Sequence, residues 1–368
     1  MKKYEKYFNF GKVTPSNNYK KNKRKTISLD IIRNKQDGSL RLRNKINFSL
    51  IKSTDNILFN EPDFHLKKVA KLLTKYSFNQ IVGATYKDEP LVNLIISATK
   101  NLNKKYLSEI LKLDFFKSSE IILENYCRYK GKINNKLKSL IILRHAWEHL
   151  YDHNIFLKKI FNNFSKNSIF FIEVPCSEKL IKKQDYSMLW EEHVYYFNKN
   201  GFLNTLNFAN LKVIKFIKFY QKHESILCAI CKYDKGLKKR VLRSKKMLQL
   251  TKRYKDNFLI KKKIIKKKFN VMQINGGVVC YGASHMLNTF VNIFNLENHI
   301  SYVVDDNIKK SGKYMFVNNT KIFDFKYMKK NLKQNCIFAI NPMTSVKFKK
   351  KINYLKSTKI SVKSIFDF

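Results

Sequence analysis

The chain has little of what usually interrupts a fold. Its 368 residues include 5 prolines and 10 glycines, which excludes a collagen-like or proline-rich disordered chain. No apolar run reaches the roughly 18 to 20 residues of a membrane-spanning helix. The opening MKKYEKYFNFGK has no apolar signal-peptide core, so a cytoplasmic protein without a membrane span is expected. Acid is also scarce: 27 Asp and Glu face 74 Lys and Arg, for a net charge of +47. Little of that excess is arginine, the residue suited to bidentate recognition of phosphates and bases. The lysines come with abundant Asn, Ile, Phe and Tyr, residues that A/T-rich coding over-uses. The charge therefore reads as solvated faces, and no specific nucleic-acid partner is expected. Of 6 cysteines, only Cys228 and Cys231 have CxxC spacing. They sit inside a strand-like run, residues 225–231, with no second pair, which reads as buried strand thiols and not as a metal site.

What is present is a substantial core. Apolar residues make up 44% of a chain longer than one core usually serves. Residues 1–62 read as a small β-rich N-terminal lobe, with Asp37-Gly38 turning a hairpin. Residues 63–234 read as an α/β domain. It opens with a helix over 63–76, a strand over 79–83 and a helix over 91–102, the first unit of a doubly wound sheet. The turn from Ala84 to Pro90 falls at the carboxyl end of that strand, where such folds bind ligands; its default is an exposed turn. A strand over 139–143, a helix over 154–164 and a strand over 168–174 stopped by Pro175 make a right-handed crossover. That crossover places Glu148, His149 and Glu173 on one edge. Strands over 211–220 and 225–231 close the sheet as a hairpin. Residues 235–270 read as a basic linker helix with a solvated face. A second, smaller Rossmann-like α/β domain follows over 271–368, with strands at 278–281, at 300–304 ending in Asp305, and at 336–340 ending in Asn341-Pro342. Its turn, Gly282-Ala283-Ser284, and the following helix N-terminus are suited to hold phosphate.

Several motifs belong together. Arg144-His145-Ala146-Trp147-Glu148-His149, Ile172-Glu173-Val174-Pro175 and Glu192-His193-Val194-Tyr195-Tyr196-Phe197 form one wall of a site. With Tyr281-Gly282-Ala283-Ser284, Leu287-Asn288, Val303-Val304-Asp305 and Lys310 to Tyr314, they resemble the S-adenosylmethionine-dependent sugar C-methyltransferases of nucleotide-linked keto-sugars. Order and spacing match over about residues 120 to 345. The resemblance implies a class I methyltransferase domain, a C-terminal domain that binds a sugar nucleotide, and a place in deoxysugar or polysaccharide biosynthesis. It assigns S-adenosylmethionine to Gly83, Tyr86, Asp88, Glu148 and His149. It assigns the sugar nucleotide to Tyr281, Gly282, Ala283, Ser284, Asn288 and Asp305, and catalysis to His193 with Glu192. Two features depart from the pattern. The N-terminal lobe lacks the family's zinc ligands, so no metal is expected, and the glycine-rich cofactor turn is reduced to Gly83. The second strand offers no convincing ribose-binding acid, Glu109 being a poor candidate. A second reading follows, of a scaffold that keeps the sugar site without methyl transfer.

C-methylation beside a ketone requires removal of a proton, support for the enolate, and a methyl sulfonium in line. His193 is the expected base, because imidazole titrates near neutrality and Glu192 adjoins it. Tyr195 is the expected donor to the enolate oxygen. The plainer readings are a packed histidine at 193, a hydrogen-bonded strand-end carboxylate at Glu173, and core packing for Trp147 and Trp190.

Overall fold

The computed structural model describes residues 3–16, 18–21, 25–47, 50, 61–99, 102–132, 136–221, 224–340 and 348–368. Its architecture is mixed α/β, with two doubly wound sheets and a β-rich N-terminal region. In that region β1 (Tyr4–Val13), β2 (Ile27–Asn34) and β3 (Leu40–Leu42) pair antiparallel. The β2–β3 turn carries Gly38 at φ +72°, with its backbone against Met247, where a Cβ would lie 2.9 Å from the Met247 carbonyl carbon. The fourth strand comes from far along the chain: β8 (Tyr195–Tyr196) pairs with β3.

The central sheet begins after helix α1 (Leu66–Leu73) with β4 (Gln80–Gly83), followed by α2 (Glu89–Ala98) and β5 (Asn103–Tyr106). Helix α3 (Ser119–Arg128) leads to β6 (Ser139–Arg144), and α4 (His153–Asn163) to β7 (Ile169–Cys176). Helix α5 (Lys199–Phe208) precedes the hairpin of β9 (Leu211–Phe219) and β10 (Ser225–Tyr233). The order is β5-β4-β6-β7-β10-β9; the first four strands are parallel, and β10 is antiparallel to both neighbours. This is a class I methyltransferase-like sheet. Every residue of β6 is buried, as expected of a central parallel strand covered on both faces. From β4 the chain goes to one side and then returns to the other, so the topological switch point lies between the carboxyl ends of β4 and β6. Pro175 does not stop β7, which runs on to Cys176. Pairing with β6 ends at Glu173, and Pro175 faces Ile226 of β10 beyond that point. The missing N–H falls where one neighbour has already left the ladder.

The basic segment is two helices, α6 (Lys245–Asp256) and α7 (Phe258–Ile274). Helix α6 packs on the N-terminal lobe through Met247 and Tyr254. The face of α7 opposite its buried Phe258, Ile265, Phe269 and Met272 is not uniformly charged; it exposes Ile260, Ile264, Val271 and Ile274 among its lysines. The final sheet is built on β11 (Val278–Tyr281), β12 (Ile300–Val304), β14 (Thr320–Phe323), β15 (Asn335–Phe338) and β16 (Ser361–Ser364), all parallel. The short β13 (Tyr314–Met315) adds an antiparallel edge. Helix α8 (His285–Phe294) follows β11. Asn341 and Pro342 lie outside the described residues. Among the described residues no helix is long and apolar enough to cross a membrane.

Candidate active site

The turn after β4 is buried, contrary to its reading as an exposed loop. Asp88 reaches back over it: one carboxylate oxygen accepts from the amides of Ala84 at 2.7 Å and Thr85 at 2.8 Å, and the other from the Arg144 amide at 2.7 Å. Asp88, expected as a cofactor contact, thus clamps β4 to β6, and burial pushes its carboxyl up to about 7. Tyr86 opens a short 3-10 turn that ends at Asp88. Gly83 lies under the ring of Tyr106 at the end of β5; a Cβ on Gly83 would sit 2.5 Å from that ring. Glu109 accepts the Tyr106 amide at 2.9 Å, a helix-capping contact. The backbone groups that a cofactor turn presents are therefore consumed by the chain itself.

Arg144 carries the next layer inward. Its guanidinium donates to the Lys87 carbonyl at 2.6 Å and the Pro62 carbonyl at 2.7 Å, and lies 3.1 Å from Glu173. Glu173 also receives His65 at 2.8 Å and faces His145 at 3.1 Å. Burial works against its charge, but Arg144 and the two histidines hold the carboxyl well below its usual range. His145 adopts φ +46°, the left-handed region, and its amide donates to the Glu173 carbonyl at 2.9 Å. Despite burial, Glu61, Glu148 and Glu173 raise its imidazole to about 10. Lys87 is buried and pairs with Glu61 at 3.0 Å. Glu173 is thus the centre of an ion cluster, the structural role that its position at the strand end suggests.

Beyond this cluster the two Glu-His pairs converge. The ring centroids of His149 and His193 are 4.9 Å apart. His149 Nδ1 meets the Glu192 carbonyl at 2.9 Å and a Glu120 carboxylate oxygen at 2.7 Å, so it carries a proton shared between them. His193 lines a cavity between the two α/β domains, with Pro175, Tyr196, Glu224, His285 and Met286. Burial, and then the neighbouring His149 and His285, keep its imidazole pKa well below the usual value. His285 stacks on Trp190 at 4.4 Å, bringing the first turn of α8 onto the motif loop. Burial pushes the Glu224 carboxyl up to about 7 and lowers His285 to about 4. Neither residue stands out in the sequence, because each gains its place through the packing of one domain on the other. Glu192 reaches the cluster through its backbone carbonyl. Tyr195 also lines that cavity, but its ring stacks on Phe197 at 5.2 Å and under Arg41 at 4.8 Å, with its hydroxyl toward Tyr4. Alternation along β8 sends Tyr196, not Tyr195, to the His193 side, and the Tyr196 hydroxyl donates to the Trp190 carbonyl at 2.7 Å.

In the second α/β domain the turn is equally self-contained. Gly282 takes φ +103°, and a Cβ there would lie 2.9 Å from the Ala339 carbonyl oxygen, so glycine is required. The Ala283 amide donates to Asp305 at 2.8 Å, and Lys310 bridges Asp305 at 3.0 Å to the Ala283 carbonyl at 2.8 Å. Asp305 and the Ala283 amide, expected at the sugar nucleotide, hold each other. The Tyr281 hydroxyl donates to Asp306 at 2.7 Å. Asn288, also expected at the substrate, is a fastener: its amide donates to the Thr14 carbonyl at 2.6 Å and its oxygen accepts from the Thr14 hydroxyl at 2.8 Å. Beside it, Glu191 accepts the Ser16 amide at 2.5 Å, and burial raises its carboxyl to about 7. Ser284 caps α8, accepting from Leu287 at 3.2 Å and donating to Ala339 at 2.9 Å. Ser284→Ala is expected to cost about 0.5–2 kcal/mol, read as a lower urea midpoint at unchanged slope.

Residues 245–352 match the family described as the C-methyltransferase C-terminal domain. No curated protein matches the chain. Solved structures with partial likeness include an O-methyltransferase family protein from Burkholderia thailandensis, at 8% identity over 46% of this chain and 56% of that one, TM-score 0.31. Another is the 1,6-didemethyltoxoflavin-N1-methyltransferase of the same organism, with bound 1,6-didemethyltoxoflavin and S-adenosylhomocysteine, at 8% identity over 46% and 78%, TM-score 0.32. A third is the O-methyltransferase of a trans-AT PKS multienzyme from Brevibacillus brevis, in complex with S-adenosyl-L-homocysteine, at 8% identity over 53% and 78%, TM-score 0.30. The chain thus spans little more than half the length of the first of these, and the fold rests on the strand order given above.

Proposed function

We propose that this chain, which carries a C-methyltransferase C-terminal domain over residues 245–352, is a C-methyltransferase of a nucleotide-linked keto-sugar with His193 as its base. One observation carries the reading: His193, held neutral, lines the cavity between the two α/β domains together with Glu224 and His285. A neutral imidazole has the lone pair that proton removal needs. It takes the proton from the carbon beside the ketone, and the electron pair moves onto the ketone oxygen as an enolate. A carboxyl raised to about 7, as in Glu224, keeps a proton near neutrality with which to support that oxygen. S-adenosylmethionine is the methyl donor that the reading requires. The turn at Gly83, as it stands, does not fit that donor, so the step that this chain's own residues carry is the proton removal.

That misfit favours a second reading, of a nucleotide-sugar protein that exchanges the proton without methylating. Calorimetric titration with a nucleotide-linked 4-keto-sugar and, separately, with S-adenosylmethionine decides between the two. Methyl transfer predicts heat from both ligands, and labelled methyl on the sugar. Heat from the sugar nucleotide alone, with solvent deuterium entering the sugar and no label transferred, would establish the second reading instead.

A further inference from the structure

Two side chains at the edge of the ion cluster, Glu148 and His149, have chemistry that proton removal does not use. Glu148 is wholly buried, and neither carboxylate oxygen has a hydrogen-bond partner among the described residues. The imidazole nitrogens nearest to it are His145 Nδ1 at 3.7 Å and His149 Nε2 at 4.0 Å, both beyond hydrogen-bond distance. His149 Nε2 is likewise buried without a hydrogen-bond partner. Its other nitrogen is fixed as a donor by Glu120 and the Glu192 carbonyl. A carboxylate that takes the proton of one imidazole nitrogen, and so aims the lone pair of the other, is the outer shell characteristic of a metal-bound histidine. His193 completes the set: one ligand atom each from Glu148, His149 and His193 lie within 4.8 Å of one another.

We propose that Glu148, His149 and His193 form a binding site for a borderline divalent transition-metal ion, of the class that includes Zn²⁺ and Co²⁺. Two imidazoles and one carboxylate suit such ions, whereas Mg²⁺ and Ca²⁺ prefer all-oxygen sets. A tetrahedral ion with bonds of about 2.0–2.1 Å holds its ligands roughly 3.3 Å apart, so the most widely spaced pair must close by no more than about 1.5 Å. Half-buried His193 and the Glu148 side chain have the rotatable bonds for that displacement. Cationic His145 and Lys87 face the site and oppose the ion; Glu61, paired with both, and Glu120 behind His149 offset them. The other cluster of metal-type ligands, His65, Glu173 and Cys228, is closed by its own ion pairs, because Glu173 is held by Arg144 and His65.

Occupation has a consequence for the reaction. An ion on the His193 ring nitrogen takes the lone pair that would accept the substrate proton, so metal loading and base function exclude each other. The ion is then an inhibitor of the exchange step. This clause rests on His193 being the base; the binding itself does not.

Equilibrium dialysis of the metal-free full-length chain against Zn²⁺, followed by metal analysis, tests the binding. Co²⁺ absorption reports the ligands. A single ion per chain is expected, with a visible Co²⁺ spectrum that lacks the near-ultraviolet thiolate band the free cysteines would give. Glu148→Gln and His193→Gln should each weaken binding by at least about 100-fold, and Glu120→Gln by about 10- to 100-fold through the outer shell. Circular dichroism melts show which variants remain folded, and half-buried His193 is the safer of the two ligand changes. No retained ion, equal retention in the folded variants, or a thiolate band would overturn the site. Zn²⁺ bound through the triad that leaves deuterium exchange unchanged would uphold the site and retire His193 as the base.

Discussion

His193→Ala is expected to slow solvent-deuterium exchange beside the sugar ketone, and methyl transfer with it, by about 10²- to 10⁴-fold, the usual contribution of a positioned general base. Affinity for the nucleotide sugar should change little, because the side chain presents a lone pair to one carbon and no charge to the nucleotide. The effect should therefore fall on kcat and leave KM nearly constant. His193→Gln separates chemistry from packing: it keeps the polar bulk between Trp190 and Tyr196 but has no basic nitrogen, and should be as slow as the alanine variant. Exchange within about threefold of the parent in both variants would remove the base assignment, whatever the methyl-transfer assay gave. His285→Ala serves as the contrast. It removes the ring stacked on Trp190 and should disturb affinity as well as rate.

Arg144→Met is expected to destabilise the central domain by about 3–5 kcal/mol, the loss typical when one partner of a buried ion pair is removed. The guanidinium is 1% exposed and Glu173 wholly buried, so water cannot replace the lost partner. Two further hydrogen bonds go with it, those to the Lys87 carbonyl and the Pro62 carbonyl. Urea unfolding measures the loss; a change below about 1 kcal/mol would show that the cluster rearranges around the gap. The same cluster sets an acid limit. The Glu173 carboxyl is depressed in the folded chain, so its contribution is complete above the unfolded carboxylate value and is lost as pH falls toward and through the folded one. Stability should thus decline on acidification below about pH 4.5, and Glu173→Gln, although less stable near neutrality, should show a shallower acid decline.

The sheets were legible because their strands are written in apolar, β-branched runs. Residues 139–143 and 278–281 read as strands of α/β units, and both are buried parallel strands. One of the strands that could not be read, Asn103–Tyr106, has three exposed positions at a sheet edge, two of them lysines, and so shows no apolar pattern. Two separate motifs identified His149 and His193, and the structure brings the two rings together. Sequence reasoning failed at the turn of residues 84–90. Lys87 and Asp88 have the composition of a surface loop and are buried only because Glu61 and the Arg144 amide, distant in sequence, meet them there. Nor could it show the partners that Asn288 and Asp305 have within the chain. Both look like ligand-facing residues until the partners that occupy them, Thr14 in one case and Lys310 in the other, are placed in space.

The two residues of β8 give the N-terminal lobe a significance beyond its missing zinc ligands. Tyr195 and Tyr196 complete that lobe's sheet while belonging to the loop that suspends His193, and Thr14 and Ser16 grip Asn288 and Glu191 on either side of it. The lobe is thus a mounting bracket for the loop that carries His193. Cutting the chain between the lobe and the central domain would not yield an intact central domain, because the cut would leave the motif loop with a strand lacking its sheet and a carboxyl lacking its donor.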